Sequence, residues 1–260
     1  MSFMKNWVLL LPLLLLYAVP STLFSEDSTH TKQFVFEVYP KWYSQNNITF
    51  QGNIGIEKLV NEFDWIKYYV KPSMAYALDR NWALHGGLGF YYIDNKTLHN
   101  TGELRPFLGL SHFTNFTDTW AISSYFRAEE RFRYTIGNDQ NSETTRLRLR
   151  FRNSYKFNSV SVINSWHKIT LDLEGFKSYN NETAITPTTP TFDYETHVKL
   201  GAEHSLNEGR KIRFELAWKY KAQLEGISDA SINTIFFKIQ YFPSWGSRLQ
   251  NILSDRDIDE

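Results

Sequence analysis

Arg127, Glu129, Arg131 and Arg133, followed after a polar turn by Arg146, Arg148, Arg150 and Arg152, form two runs in which every second residue is charged. Guanidinium groups at that spacing can grip carboxylates through paired N–H···O bonds or, left in excess, draw anionic solutes to a surface. Along a strand successive side chains point to opposite faces, so each run puts its charges on one side. Phe126, Ala128, Phe132, Leu147, Leu149 and Phe151 fall on the other. A turn centred near Asp139 sets Arg127 opposite Arg152, Glu129 opposite Arg150, Arg131 opposite Arg148 and Arg133 opposite Arg146. Like charges directly opposed are unfavourable, so this wall needs anions. The next strand offers Asp172 and Glu174, and a turn near Ser161 puts Asp172 beside Arg150 and Glu174 beside Arg148. The same face supports two uses: a salt-bridged brace filling a narrow interior, or an anion-attracting constriction.

The elements that carry these residues follow from the rest of the pattern. Period-2 alternation recurs over eleven stretches: 34–43, 49–59, 65–78, 82–93, 104–113, 120–134, 144–157, 166–179, 194–205, 211–221 and 233–242. Most are longer than an average globular strand and suit tilted strands crossing a bilayer. Aromatic residues stand near many of their ends. Tight connections at 79–81, 115–118 and 207–209 alternate with longer ones at 94–102, 137–143 and 180–191. That is the pattern of a meander barrel with short turns on one side and long loops on the other. The fold expected is all-β, an antiparallel up-and-down transmembrane barrel. Because bacterial barrels have even strand numbers, twelve strands are expected, with ten as the alternative.

Residues 1–25 carry a lysine, an apolar stretch too short to span a bilayer, and small polar residues, which predicts a signal peptide and export. The barrel is expected over 26–243. Residues 244–260, with Trp245, Leu249 and Ile252 at helical spacing, form a periplasmic tail. The 28 basic and 28 acidic residues cancel, so nothing points to nucleic acid. No cysteine is present, which removes thiol catalysis, disulfides and thiolate metal sites. Aromatics make up 17% of the chain, although its mean hydropathy is negative, a combination produced when a lipid-facing band is diluted by a polar lumen and loops.

The segments at 70–92, 104–110, Tyr125-Phe-Arg-Ala-Glu-Glu-Arg-Phe132 and Thr145-Arg-Leu-Arg-Leu-Arg-Phe-Arg152 resemble a family of bacterial outer-membrane barrels catalogued only as a domain of unknown function. The most specific element is Arg127-x-Glu129-x-Arg131-Phe132 followed by the Arg-x-Arg-x-Arg strand. The region 192–203 departs from the pattern, with Thr196 and His197 in place of an Asn-Arg pair. The resemblance implies a barrel in the Gram-negative outer membrane and no reaction.

Among channel readings, the arginine-rich inner face is similar in its logic to oligogalacturonate-selective porins, and small anionic solutes are the candidate cargo. Among enzyme readings, His112-Phe-Thr-Asn115 resembles the His-x-Ser-Asn stretch of outer-membrane phospholipase A and the lipid A deacylase. Threonine replaces the nucleophilic serine, and Glu130 falls about 25 to 30 Å away along the strand, beyond hydrogen-bond reach. The histidines lie singly and show no metal-ligand spacing. The expectation is a monomeric, lipid-embedded barrel, neither an enzyme nor a cofactor protein. Its outer loops would meet a partner at the cell surface.

Overall fold

The computed structural model describes residues 28–45, 47–60, 65–96, 99–137, 141–157, 166–180, 194–206, 210–222 and 231–243. The expected signal peptide, the tail from 244 and nearly all of the loop 180–191 lie outside them. Within them the chain runs through β1 (Ser28–Val38), β2 (Lys41–Gln45), β3 (Ile48–Val60), β4 (Trp65–Ala77), β5 (Trp82–Asn95) and β6 (Thr101–Asn115). It continues through β7 (Trp120–Thr135), β8 (Asn141–Lys156), β9 (Trp166–Asn180), β10 (Tyr194–Ser205), β11 (Lys211–Ala222) and β12 (Ser231–Phe242).

From β3 to β12 each strand pairs antiparallel with the next, and β1 closes the ring by pairing with both β12 and β3. β1 and β2 are two parts of one strand of the barrel, since both run along β3. The break falls at Tyr39-Pro40, where the proline ring has no N–H to offer a ladder. Backbone bonds at the break, Tyr39 N–H to Tyr241 O at 2.8 Å and Gly52 N–H to Pro40 O at 3.0 Å, keep the strand in the wall. The described residues therefore form a closed barrel of eleven strands, not twelve. The eleven stretches read from periodicity all appear; the twelfth was required only by the expectation of an even number. An odd meander brings its first and last strands together running the same way. A parallel ladder from Ser28↔Ser231 to Val38↔Tyr241 accordingly closes the ring.

This topology defines two rims. The chain joins the wall at Ser28 on the first rim, which also carries the connections at 61–64, 96–100, 136–140, 181–193 and 223–230. It leaves at Phe242 on the second, with the connections at 46–47, 78–81, 116–119, 157–165 and 206–210. Two second-rim turns are tied by short polar side chains, which substitute for backbone acceptors. Asp79 Oδ1 accepts from the Asn81 and Trp82 N–H groups at 2.6 and 2.8 Å, and Thr117 Oγ1 accepts from Trp120 N–H at 3.0 Å.

The alternation sorts the side chains cleanly. The outer wall exposes Leu84, Leu108, Phe126, Phe151, Leu200, Leu216 and Ile235, with Leu108 at 73%. Aromatic rings flank this band. Tyr76, Trp82, Phe116, Tyr155 and Phe157 stand toward the second rim, and Tyr68, Tyr92, Tyr134, Tyr179 and Tyr194 toward the first. The inner wall is polar and buried. Gly87 shows how tightly it is built, because a Cβ there would lie 2.6 Å from the Pro72 carbonyl oxygen and from the Phe107 ring. Gly87→Ala is expected to cost about 1–3 kcal/mol through overpacking, seen as a lower temperature at which the folded band converts to the unfolded one in a heat-modifiability gel.

Candidate functional site: the charged lumen

Strands β7, β8 and β9 bring the two arginine runs and the carboxylates of β9 onto one inner wall. The register differs from the one expected: Arg127 lies opposite Arg148, Glu129 opposite Arg146, Arg131 opposite Thr144 and Arg133 opposite Ser142. Every partner is displaced by four residues. The cause is Gly137, whose φ of 83° suits a residue without a side chain and lets the hairpin turn tightly between Tyr134 and Asn141. The turn centre therefore sits before Asp139, and β8 begins sooner. In place of three expected arginine-on-arginine pairings there is one, Arg127 with Arg148, and Arg133 stands exposed near the first rim rather than in the packed wall.

The carboxylates are shared among the cations. Glu129 accepts from Arg127 Nη2 at 2.7 Å and from Arg146 Nε at 2.5 Å. Asp172 is gripped bidentately by Arg152, with Nε and Nη2 at 2.7 and 2.6 Å. The register here also differs from the one expected: β9 is offset so that Arg152, not Arg150, faces Asp172, and Arg150 faces Glu174. Glu174 reaches diagonally to Arg148 Nη2 at 2.7 Å, the expected partner, and also takes Lys199 Nζ at 2.9 Å. His197 joins this group between Glu174, at 3.3 Å, and Glu195.

Stacking supplies the second means of holding like charges close. The Arg150 guanidinium lies 5.3 Å from the Tyr125 ring, Arg148 lies between Tyr125 and Phe176, Arg146 is 4.7 Å from Phe176, and Arg127 is 4.9 Å from Phe107. A planar, weakly hydrated guanidinium gains from the ring face what it loses in water, which an ammonium does less well. The interior is therefore a lattice of guanidinium, carboxylate and aromatic groups.

Arg105, Arg213, Glu37 and Glu203 are expected from their parity as inward charges of other strands, whereas Glu103 was not foreseen. Glu103, two residues before Arg105 on the same face of β6, accepts from both Arg105 nitrogens at 2.8 Å and from Arg131 Nε at 2.6 Å. Arg213, with no exposed surface, bonds Glu203 at 2.6 Å near the second rim. Glu37 is a hub: it accepts from Tyr39, Tyr69, Asn53, Lys238 and Gln240 at 2.5–3.1 Å, joining the β1–β12 closure to β3 and β4. Beyond the two arginine runs, inward cations include Lys67, Lys71, Arg105, Lys168, Lys199, Arg213, Lys219, Lys221 and Lys238. They outnumber the inward Glu37, Glu57, Glu103, Glu195, Glu203 and Glu215. The positive excess thus runs round the ring rather than along one wall.

On the outer face, the His112 ring packs at a tilt against Trp82, with centroids 4.4 Å apart, and lies opposite Ser124. Glu130 lies beside Pro106, six residues from His112 along β6, which is about 20 Å of strand. The two do not meet. Among the described residues no group of three or more His, Asp or Glu side chains could hold a metal ion.

No protein-family model matches the chain, and no curated protein does. Of the solved structures, the β domain of the Bordetella autotransporter BrkA is similar in fold, with 11% sequence identity and a TM-score of 0.47, over 76% of this chain and 82% of that one.

Proposed function

We propose that this chain is an integral barrel of the Gram-negative outer membrane whose lumen is a braced, non-conducting plug and which catalyses no reaction of its own. The observation that carries this reading is the inversion of polarity. Arg213, Glu203 and Asp172 are at most 1% exposed while Leu200, Leu216 and Ile235 are more than half exposed. In water that arrangement would expose a continuous apolar band to solvent at high cost, whereas in lipid the band is the favoured surface and the closed ladder satisfies every strand edge. The two aromatic girdles support the same location, since amphipathic rings prefer the level of the head groups. Its partners are then membrane lipids, and the barrel acts as a monomer.

A second reading is favoured by the excess of inward cations: a small anion-selective channel. Planar-bilayer recording of the purified protein separates the two. The plug predicts no single-channel current for the native chain or for Arg131→Ala/Arg148→Ala, with the double variant unfolding at a lower temperature. An open, anion-selective current that the substitutions weaken would establish the channel instead.

A further inference from the structure

At the second rim the inner wall carries a row of charge that neither reading of the lumen uses. Lys156, Lys168, Glu203 and Arg213 stand in direct register across β8, β9, β10 and β11, all on the inward face. Lys211, the first residue of β11, joins them from the rim. Lys156 is exposed and Lys211 half-buried, whereas Lys168 is 6% exposed and Arg213 fully enclosed. The row therefore opens to the rim at one level and closes just below it.

One carboxylate serves this group. Glu203 accepts from Arg213 Nη2 at 2.6 Å, lies 3.5 Å from the Lys211 ammonium and faces Lys168 across the ladder. Four cations thus gather about a single anion. Among the described residues the next inward carboxylates on these strands lie deeper, Asp172 gripped by Arg152 and Glu215 beside Lys238 at 3.9 Å.

Lys156 and Lys168 show what the row lacks. They are direct cross-strand neighbours, with Cβ atoms roughly 5 Å apart, and like charges so placed repel. An anion between the two ammonium groups relieves that repulsion. The floor beside them is polar and kept low. One step deeper Ser154 faces Thr170, and Thr170 faces Gly201. A Cβ on Gly201 would lie 2.5 Å from Thr170 Oγ1 and 3.6 Å from Arg213 Cδ, so the glycine leaves room for the hydroxyl and the arginine stem side by side.

We propose that this second-rim row binds a phosphate dianion, free or as the end of a phosphomonoester. A tetrahedral oxyanion has enough lone pairs to accept from both ammonium groups and from the hydroxyls beneath them, and clustered cations favour a dianion over a monovalent ion. Because the row is reached from the rim, the site goes beyond either reading of the lumen and needs no conduction.

The test is equilibrium dialysis of the purified full chain in detergent against radiolabelled inorganic phosphate, at about pH 8, where the ligand is mostly dianionic, with chloride holding the ionic strength constant. Native protein is expected to bind saturably. Lys156→Gln should weaken binding about tenfold, the loss of one charge-assisted contact. Lys156 is exposed and ends β8, so that variant can fold. Lys58→Gln, which removes an exposed lysine from the outer face of β3, should leave binding unchanged. Glycerol 3-phosphate as competitor tells the two sources apart: tighter binding of the ester assigns the site to phosphomonoesters, tighter binding of inorganic phosphate to the free ion, and either supports it. No saturable binding of either ligand, an affinity that Lys156→Gln leaves unchanged, or equal weakening by Lys156→Gln and Lys58→Gln overturns the proposal.

Discussion

Glu37→Ala is expected to be among the most damaging single substitutions in the barrel, lowering stability by about 3–5 kcal/mol because it takes the shared acceptor from several buried donors and the nearer of two carboxylates from Lys238. The glutamate is 3% exposed. It takes the hydroxyl hydrogens of Tyr39 and Tyr69 at 2.6 and 2.5 Å and the Lys238 ammonium at 3.1 Å. These bonds join the parallel closure to the antiparallel ladders on its other side, so the loss falls where the ring has to shut. The measurement is the fraction of folded, heat-modifiable protein after refolding into detergent, with urea midpoints for whatever folds. Glu37→Gln keeps an acceptor for the tyrosines but loses the charge facing Lys238, and should fall between native and alanine. Equal midpoints for all three proteins would show that the hub does not hold the seam.

The second large effect is expected at Asp172, which is 1% exposed and gripped by both Arg152 nitrogens. Asp172→Ala should cost about 3–5 kcal/mol, because Arg152, itself buried, then loses the carboxylate that grips it bidentately. The same physics predicts a rescue. Changing both partners, Asp172→Leu with Arg152→Met, removes that buried cation and should recover most of the loss, since well-packed apolar replacements of buried pairs are often neutral or better. A double-mutant cycle on urea midpoints gives the coupling directly. Additive losses in the double variant would mean that the two side chains act independently in spite of their geometry.

Much of the barrel was legible in the chain because both of its surfaces write the same period. Apolar outside and polar inside reinforce each other at every second residue, so all eleven strands stood out, and β7, β8 and β9 were placed nearly to their ends. Register was not legible to the same degree. It depends on where each hairpin turns, and Gly137 carried that information as a single residue whose positive φ moved each arginine's partner. The Glu174–Arg148 contact was read correctly although the pairing beneath it was off, because a long arginine reaches a diagonal neighbour. Glu103 was readable from its two-residue spacing to Arg105. The Glu37 hub was not, since it gathers partners from β3, β4 and β12 that only the closed ring brings together. Strand number failed for a different reason: parity was imposed on eleven strands that the residues themselves had already supplied.

The parallel closure gives this wall a directional character that an even meander lacks. A chain that joins the wall at Ser28 on one rim and quits it at Phe242 on the other makes an uneven number of passes. The first and last strands of the wall thus have their free ends on opposite rims. Insertion cannot be completed by adding matched hairpins alone: one strand has to cross singly and find β12 alongside rather than head to tail. The wall therefore has two unlike rims by construction, one where the ring begins and one where it ends, whatever its lumen admits.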